Sequence, residues 1–217
     1  MIRWNFARRI GTVALAAAFA ASASLTAFAE GPGSGASQTS QTVQANVINT
    51  AAAEKPEVAC EGAALYDATH GVFLFEKNGD RQFYPASITK VMTALLAVEN
   101  LNMDSTVTFS KSAVTNLETA AVTLQVQEGE TFAVRDLMYG LWLKSANEIA
   151  NGLAEAVAGS VPAFADLMNQ KAASLGCTHT NFVNPNGVNE VSHVTTAKDM
   201  AGITAAACRS SQVRQRG

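Results

Sequence analysis

Ser87 and Lys90 place a hydroxyl and an amine three residues apart, at the start of a run whose apolar spacing is that of a buried helix. Residues three apart share a helix face, so the two groups can meet. A serine hydroxyl is a weak nucleophile until a base takes its proton. A lysine is a poor base at its ordinary pKa of about 10.4, but burial disfavours the charged form and lowers that value. The apolar stretch 91–98 makes Lys90 a candidate for this shift, and a helix start favours negative charge developing near Ser87. Ser-x-x-Lys alone also describes an ordinary helix cap followed by a surface lysine. The setting sets this one apart, with Tyr84-Pro85-Ala86 before it and an almost wholly apolar helix after.

A second group is Ser145-Ala146-Asn147, inside Leu143-Lys144-Ser145-Ala146-Asn147-Glu148 and between two amphipathic segments. A loop there can aim a hydroxyl and an amide into a cleft. The hydroxyl can relay a proton, and the amide can hold a substrate carbonyl or peptide N–H. Alone, this pattern too describes a simple helix cap.

The elements that must position these groups follow from periodicity. Val91, Leu95 and Val98 recur at spacings of four and three, with Met92 and Leu96 alongside, so 87–100 is predicted as a helix. It is apolar nearly all round, which places it at the centre of the fold. Ahead of it, 62–66 and 72–75 read as a β-hairpin whose polar turn is closed by Gly71, and 76–80 as a second turn. Pro85 is expected to fix an extended approach to the helix. A short strand is expected at 106–109, and a helix over 133–143 capped by Thr131. Further helices are expected over 147–158, ending at Gly159, and over 162–175, with Pro162 in the first turn and Gly176 past the end. Residues 184–187 form a turn, and 196–207 a last helix.

The first 29 residues read as a secretory signal peptide. Arg3, Arg8 and Arg9 precede an apolar run over 10–21, and Ala27-Phe28-Ala29 forms an A-x-A cleavage pattern. That run is short for a membrane span, which needs about 20 residues, so the chain is expected to be secreted and to work on the cell-wall side of the membrane. Residues 30–57, rich in Gly, Ser, Gln, Thr and Ala, read as a disordered linker. Hydrophobic residues make up 48% and charged residues 15%, which suits one globular domain and excludes general disorder. The formal net charge of -3 and the lack of a basic-aromatic patch exclude nucleic acid as the main partner. Cys60, Cys177 and Cys208 are odd in number and, like His70, His179 and His193, fit no metal-ligand spacing. No cofactor or metal is expected.

Together, the two motifs resemble the active site of penicillin-binding proteins and serine β-lactamases. The wording around them is more specific. Residues Pro85-Ala86-Ser87-Ile88-Thr89-Lys90-Val91-Met92-Thr93-Ala94 resemble the nucleophile helix of the low-molecular-mass D-alanyl-D-alanine carboxypeptidases, a family of serine peptidases. So do Leu65-Tyr66-Asp67-Ala68, Thr180-Asn181-Phe182-Val183-Asn184-Pro185-Asn186-Gly187 and Thr195-Thr196-Ala197-Lys198-Asp199-Met200, in the family's order across 58–205.

The resemblance implies an α+β fold, the β-lactamase/transpeptidase-like domain. It implies Ser87 as nucleophile, Lys90 as base, Ser145 as proton relay and Asn147 as the substrate-binding residue. The implied substrate is a peptidoglycan stem peptide ending in D-Ala-D-Ala, and β-lactam antibiotics would acylate the same serine. The Ser87 N–H would be one oxyanion donor. A class A β-lactamase fits less well: Ala146 stands where that family has Asp, and neither Glu118 nor Glu128 matches its deacylating Glu.

The family's third motif, Lys-Thr-Gly on a sheet strand, does not occur after residue 147. The expectation is therefore a C-terminally truncated catalytic domain over 58–207. It would have the N-terminal strands and the helical subdomain, but not the final strands, and would lack the C-terminal membrane anchor. Residues 208–217, with Arg209, Arg214 and Arg216, form a tail unlike the family. Bare strand edges are a liability in such a domain. The alternative function is an inactive remnant, at most a secreted peptidoglycan-binding fragment.

Overall fold

The structure is a computed structural model that describes residues 56–118 and 121–210. The expected signal peptide, nearly all of the linker and most of the expected tail lie outside the described residues.

The hairpin forms where the alternation placed it. Strands β1 (Ala63–Asp67) and β2 (Val72–Lys77) pair antiparallel with a bulge at Leu65/Tyr66. Gly71 closes the turn with φ 73° and an N–H donated to the Asp67 carbonyl at 2.8 Å. Only a residue at ease with positive φ fits there. The hairpin packs on the last helix and leaves Leu65, Val72 and Leu74 exposed.

Strand β3 (Gln82–Phe83) pairs with β6 (Thr195–Thr196), and the chain then bends at once. Pro85 has φ -72° and ψ -21°, so it opens a 3-10 turn, Ala86–Thr89, rather than the extended approach expected of it. The α-helix proper, α1 (Lys90–Asn100), starts at Lys90, three residues later than its apolar spacing suggests.

Helix α1 is central, as an all-round apolar helix must be. One flank carries Ala94, Ala97 and Val98 into a core with Phe109, Leu137, Leu141, Ile149 and Leu153. The other carries Met92, Leu95 and Leu96 into a core with Phe164, Met168, Phe182 and Ile203. Helix α4 (Asn147–Ala158) supplies most of its contacts to the first, while α5 (Val161–Ser174) and α6 (Ala197–Arg209) build the second. Ser160 and Thr196 cap α5 and α6 through their hydroxyls. Helix α6 runs through Cys208 and Arg209, so these two residues belong to the helix rather than to a frayed end.

The region 106–144 departs most from expectation. Thr131 does not cap a helix: it lies in β5 (Thr131–Ala133), which pairs with β4 (Thr106–Thr108). Thr serves equally as cap and strand former, and the cross-strand hydroxyl pair Thr108–Thr131, at 2.8 Å, decides it here. Short α2 (Lys111–Thr115), capped by Ser110, has too few residues to show a period. The expected helix 133–143 splits into α3 (Val134–Tyr139) and a π-helical stretch, Gly140–Lys144, which ends on Ser145 in the left-handed region.

His193 ties two of these parts together. It is 1% exposed, accepts the Val183 N–H at Nδ1 (3.0 Å) and meets the Thr89 hydroxyl at Nε2 (2.8 Å). An acceptor at Nδ1 requires the neutral ring with its proton on Nε2. Burial holds its pKa down at about 4, against 6.5 when exposed. Between those values the unfolded chain binds the extra proton, so stability is complete above pH 6.5 and falls as pH drops towards 4. Denaturant titrations at pH 7.5 and 4.5 are expected to differ by on the order of 2–3 kcal/mol, with a smaller difference in His193→Gln.

Candidate active site

Ser87 owes its position to a kink. Ala86 has φ 49°, a left-handed conformation that is strained for a residue with a side chain. The kink turns Ser87 out to solvent while Thr89 and Lys90, two and three residues on, are buried. The Ser87 hydroxyl therefore faces the surface and the Lys90 amine lies behind it, in the core.

Lys90 is 2% exposed, and its amine has three oxygen neighbours. Nζ lies 2.8 Å from Asn147 Oδ1, 2.8 Å from the Asn186 carbonyl and 3.3 Å from Ser87 Oγ. The first two oxygens can only accept. An ammonium would donate to all three, whereas a neutral amine has two N–H groups and one lone pair. In the neutral form both donors are used by Asn147 and Asn186, and the lone pair is left for the Ser87 proton. Burial draws the Lys90 pKa down to about 8, against a smaller opposing effect of the Glu148 charge. A base near neutrality is thereby created from a residue that is ordinarily a cation.

Asn147 begins α4, and its N–H is fixed by the Val122 carbonyl at 2.8 Å. Ala146, fully buried, anchors the loop between two half-buried polar residues. Ser145 has φ 58° at the end of the π-helical stretch. Among the described residues its hydroxyl bonds to neither Ser87 nor Lys90. Hydrogen bonds thus join Ser87, Lys90 and Asn147, while Ser145 stands two residues along the same loop, outside that network.

Sequence reasoning treated 184–187 as a plain turn and missed its part in the site. Thr93 donates to the Pro185 carbonyl at 2.6 Å, three residues along α1 from the bond between Lys90 and Asn186. Gly187, at φ 86°, lies against the nucleophile turn so closely that a Cβ would sit 1.8 Å from the Ala86 carbonyl oxygen and 3.0 Å from the Ser87 nitrogen. The Asn186 side chain is held by Asn151 and by the Val188 N–H. The legible signals were the Asn-Pro-Asn-Gly turn and the family resemblance of 180–187; a main-chain carbonyl acting on a lysine leaves no mark in residue type.

A family model described as D-alanyl-D-alanine carboxypeptidase matches residues 49–215. Among curated proteins, D-alanyl-D-alanine carboxypeptidase DacF of Bacillus subtilis is 33% identical over 144 residues, covering 65% of this chain and 37% of its own. D-alanyl-D-alanine carboxypeptidase DacC of Escherichia coli is 33% identical over 156 residues, covering 68% and 39%. The chain thus spans under two-fifths of the length of these relatives. Among solved structures, D-alanyl-D-alanine carboxypeptidase DacD of Francisella tularensis superposes with TM-score 0.67 at 34% identity, over 72% of this chain and 38% of that one. The D-alanyl-D-alanine carboxypeptidase of Mycobacterium tuberculosis gives TM-score 0.69 at 30% identity, over 76% and 62%.

Gly187→Ala is expected to cost about 2 kcal/mol or more, because left-handed strain adds to a clash with backbone that cannot swing aside. Gly176→Ala, also at positive φ but with nothing within 4 Å, is expected to lose only the strain, about 1 kcal/mol. Paired denaturant titrations measure the difference.

Proposed function

Because the chain belongs to the D-alanyl-D-alanine carboxypeptidase family, we propose that it is built to remove the terminal D-alanine from peptidoglycan stem peptides through an acyl-enzyme on Ser87. The observation that carries this reading is the Lys90 amine, buried with two carbonyl acceptors and its remaining position facing Ser87 Oγ.

The neutral Lys90 amine takes the Ser87 proton as Oγ attacks the carbonyl of the penultimate D-alanine. The C–O bond forms, and the carbonyl oxygen takes up negative charge beside the Ser87 N–H. When the tetrahedral adduct collapses, the C–N bond breaks, and the departing D-alanine amine takes the proton from Lys90 by way of the Ser145 hydroxyl. Asn147 has its Oδ1 committed to Lys90, which leaves its NH2 to hold a substrate carbonyl. Water then attacks the acyl-enzyme, with Lys90 again the base; the bond from the acyl carbon to Oγ breaks, Ser87 takes the proton back from Lys90, and the shortened peptide leaves. A β-lactam acylates Ser87 by the same first step, its ring C–N bond breaking in place of the peptide bond. A peptidoglycan substrate puts this chemistry on the outer side of the membrane, in keeping with the leader expected at residues 1–29. No helix among the described residues is long and apolar enough to cross a membrane.

A second reading, a non-catalytic peptidoglycan-binding protein, is favoured by one observation. Among the described residues the Ser145 hydroxyl makes no hydrogen bond to Ser87 or Lys90, so the proton has no bonded route from Lys90 to a leaving amine.

The two readings separate on exposure to a fluorescent penicillin. The first predicts covalent labelling that is lost in Ser87→Ala. Its rate should rise about tenfold per pH unit up to pH 8 and level off above, as the amine becomes neutral. A folded protein that takes no label over hours at pH 8 supports the second.

A further inference from the structure

We propose that Glu148 is a positioning residue for the Ser87–Lys90 pair: its carboxylate, buried one residue beyond Asn147, is the counter-charge against which Lys90 holds and releases its proton. The proposal rests on Lys90 being the base, as argued above.

Glu148 is 1% exposed, on the first turn of α4. One carboxylate oxygen accepts the Leu124 N–H, and together with the bond from Asn147 N–H to the Val122 carbonyl this pins 122–124 onto the start of α4. The other oxygen, Oε2, is buried and has no hydrogen-bond partner among the described residues. Anchoring Leu124 does not require a charge, since a glutamine carbonyl would accept the same N–H and avoid burying an unpaired anionic oxygen. A carboxylate at this position therefore points to a use for the charge itself. The helix N-terminus stabilises that charge in part.

A group that feels this charge is the Lys90 amine. Helices α1 and α4 pack together, and the residue before Glu148 touches the amine directly. Burial and Glu148 act on Lys90 in opposite directions, burial being the larger, and the base comes to rest at about 8. Without the carboxylate the amine would be neutral at lower pH but weaker as a base, because proton-accepting power falls with pKa.

Glu148 is the one carboxylate among the described residues that is buried, as Lys90 is the one buried amine. The 3-10 turn and 184–187 carry no charged group. Lys144 is exposed at the end of the π-helical stretch, and His193, against Thr89, is neutral. Glu155, two turns along α4, accepts from Ser110 and Ser112. On α1, Glu99 pairs with Lys171. On α3, Arg135 pairs with Asp104, and Asp136 is exposed. On α6, Lys198 engages Glu76 and Asp80, and Asp199 engages Thr180 and the His179 N–H.

The test is an NMR titration of the labelled lysine side chains in the full chain, with the Lys90 signal assigned by its loss in Lys90→Met. In Glu148→Gln, which keeps the Leu124 acceptor, the Lys90 midpoint is expected to fall by about one pH unit, a tenfold loss of proton affinity. In Glu148→Asp, which keeps the charge but shortens the reach to Leu124, it is expected to stay within a few tenths of wild type. A midpoint unmoved or raised in the Gln variant overturns the proposal, as does an equal fall in both variants. If the Gln variant does not fold, the Asp variant decides alone: a Lys90 midpoint lowered there by about one pH unit overturns the proposal. These readouts need no turnover: a protein that shows the shifts but takes no penicillin label retains the Glu148 assignment and refutes the acyl-transfer reading.

Discussion

Burying an amine is the constraint on which the rest of the structure depends. A lysine at the head of a core helix is costly to desolvate, and the cost is tolerable only where its N–H groups find acceptors and its proton can leave. Lys90 meets both conditions with oxygens from three chain segments, at sequence separations of 3, 57 and 96 residues. The central placement of α1, the start of α4 and the return of 184–187 all serve to bring those oxygens to one point. Two core clusters flanking α1 keep water from its sides. The bonds from Thr93 to Pro185 and from Thr89 to His193 fix the returning segment at two further places.

The sequence was most legible where a side chain carries the signal over a short range. The hairpin, the apolar helix and the helices at 147–158 and 162–175 follow from alternation, period and Gly or Pro punctuation, and each formed within three residues of expectation. Ser87, Lys90 and Asn147 were legible as residue types at characteristic spacings. Legibility failed where backbone does the work. Nothing in the letters shows that Asn186 contributes a main-chain carbonyl, that Pro85 begins a 3-10 turn or that 140–144 widens into a π-helical stretch. The two-residue pairing of β3 with β6 depends on segments more than a hundred residues apart, so no local pattern could announce it. Thr131 failed for another reason: its intrinsic preferences suit both outcomes, and tertiary pairing chose between them.

The family resemblance and the geometry divide the argument between them. Resemblance names roles for four residues, but it cannot say why the Lys90 amine holds its proton less firmly than an exposed lysine. Burial of the amine supplies that reason, and the contacts around it add Asn186, Gly187 and Glu148 to the account. Ser145 is the converse case, since its role comes from resemblance and its hydroxyl stands apart from the network joining the other three.

The span of the Lys90–Asn186 contact has a bearing on timing. In a chain that has not yet collapsed, Lys90 is an ordinary hydrated cation and Ser87 an ordinary alcohol. The amine is not closed off until the segment near residue 186 has come back onto α1. The lowered Lys90 pKa is thus a product of completed folding, and a nascent or extended chain carries the same lysine as an ordinary cation.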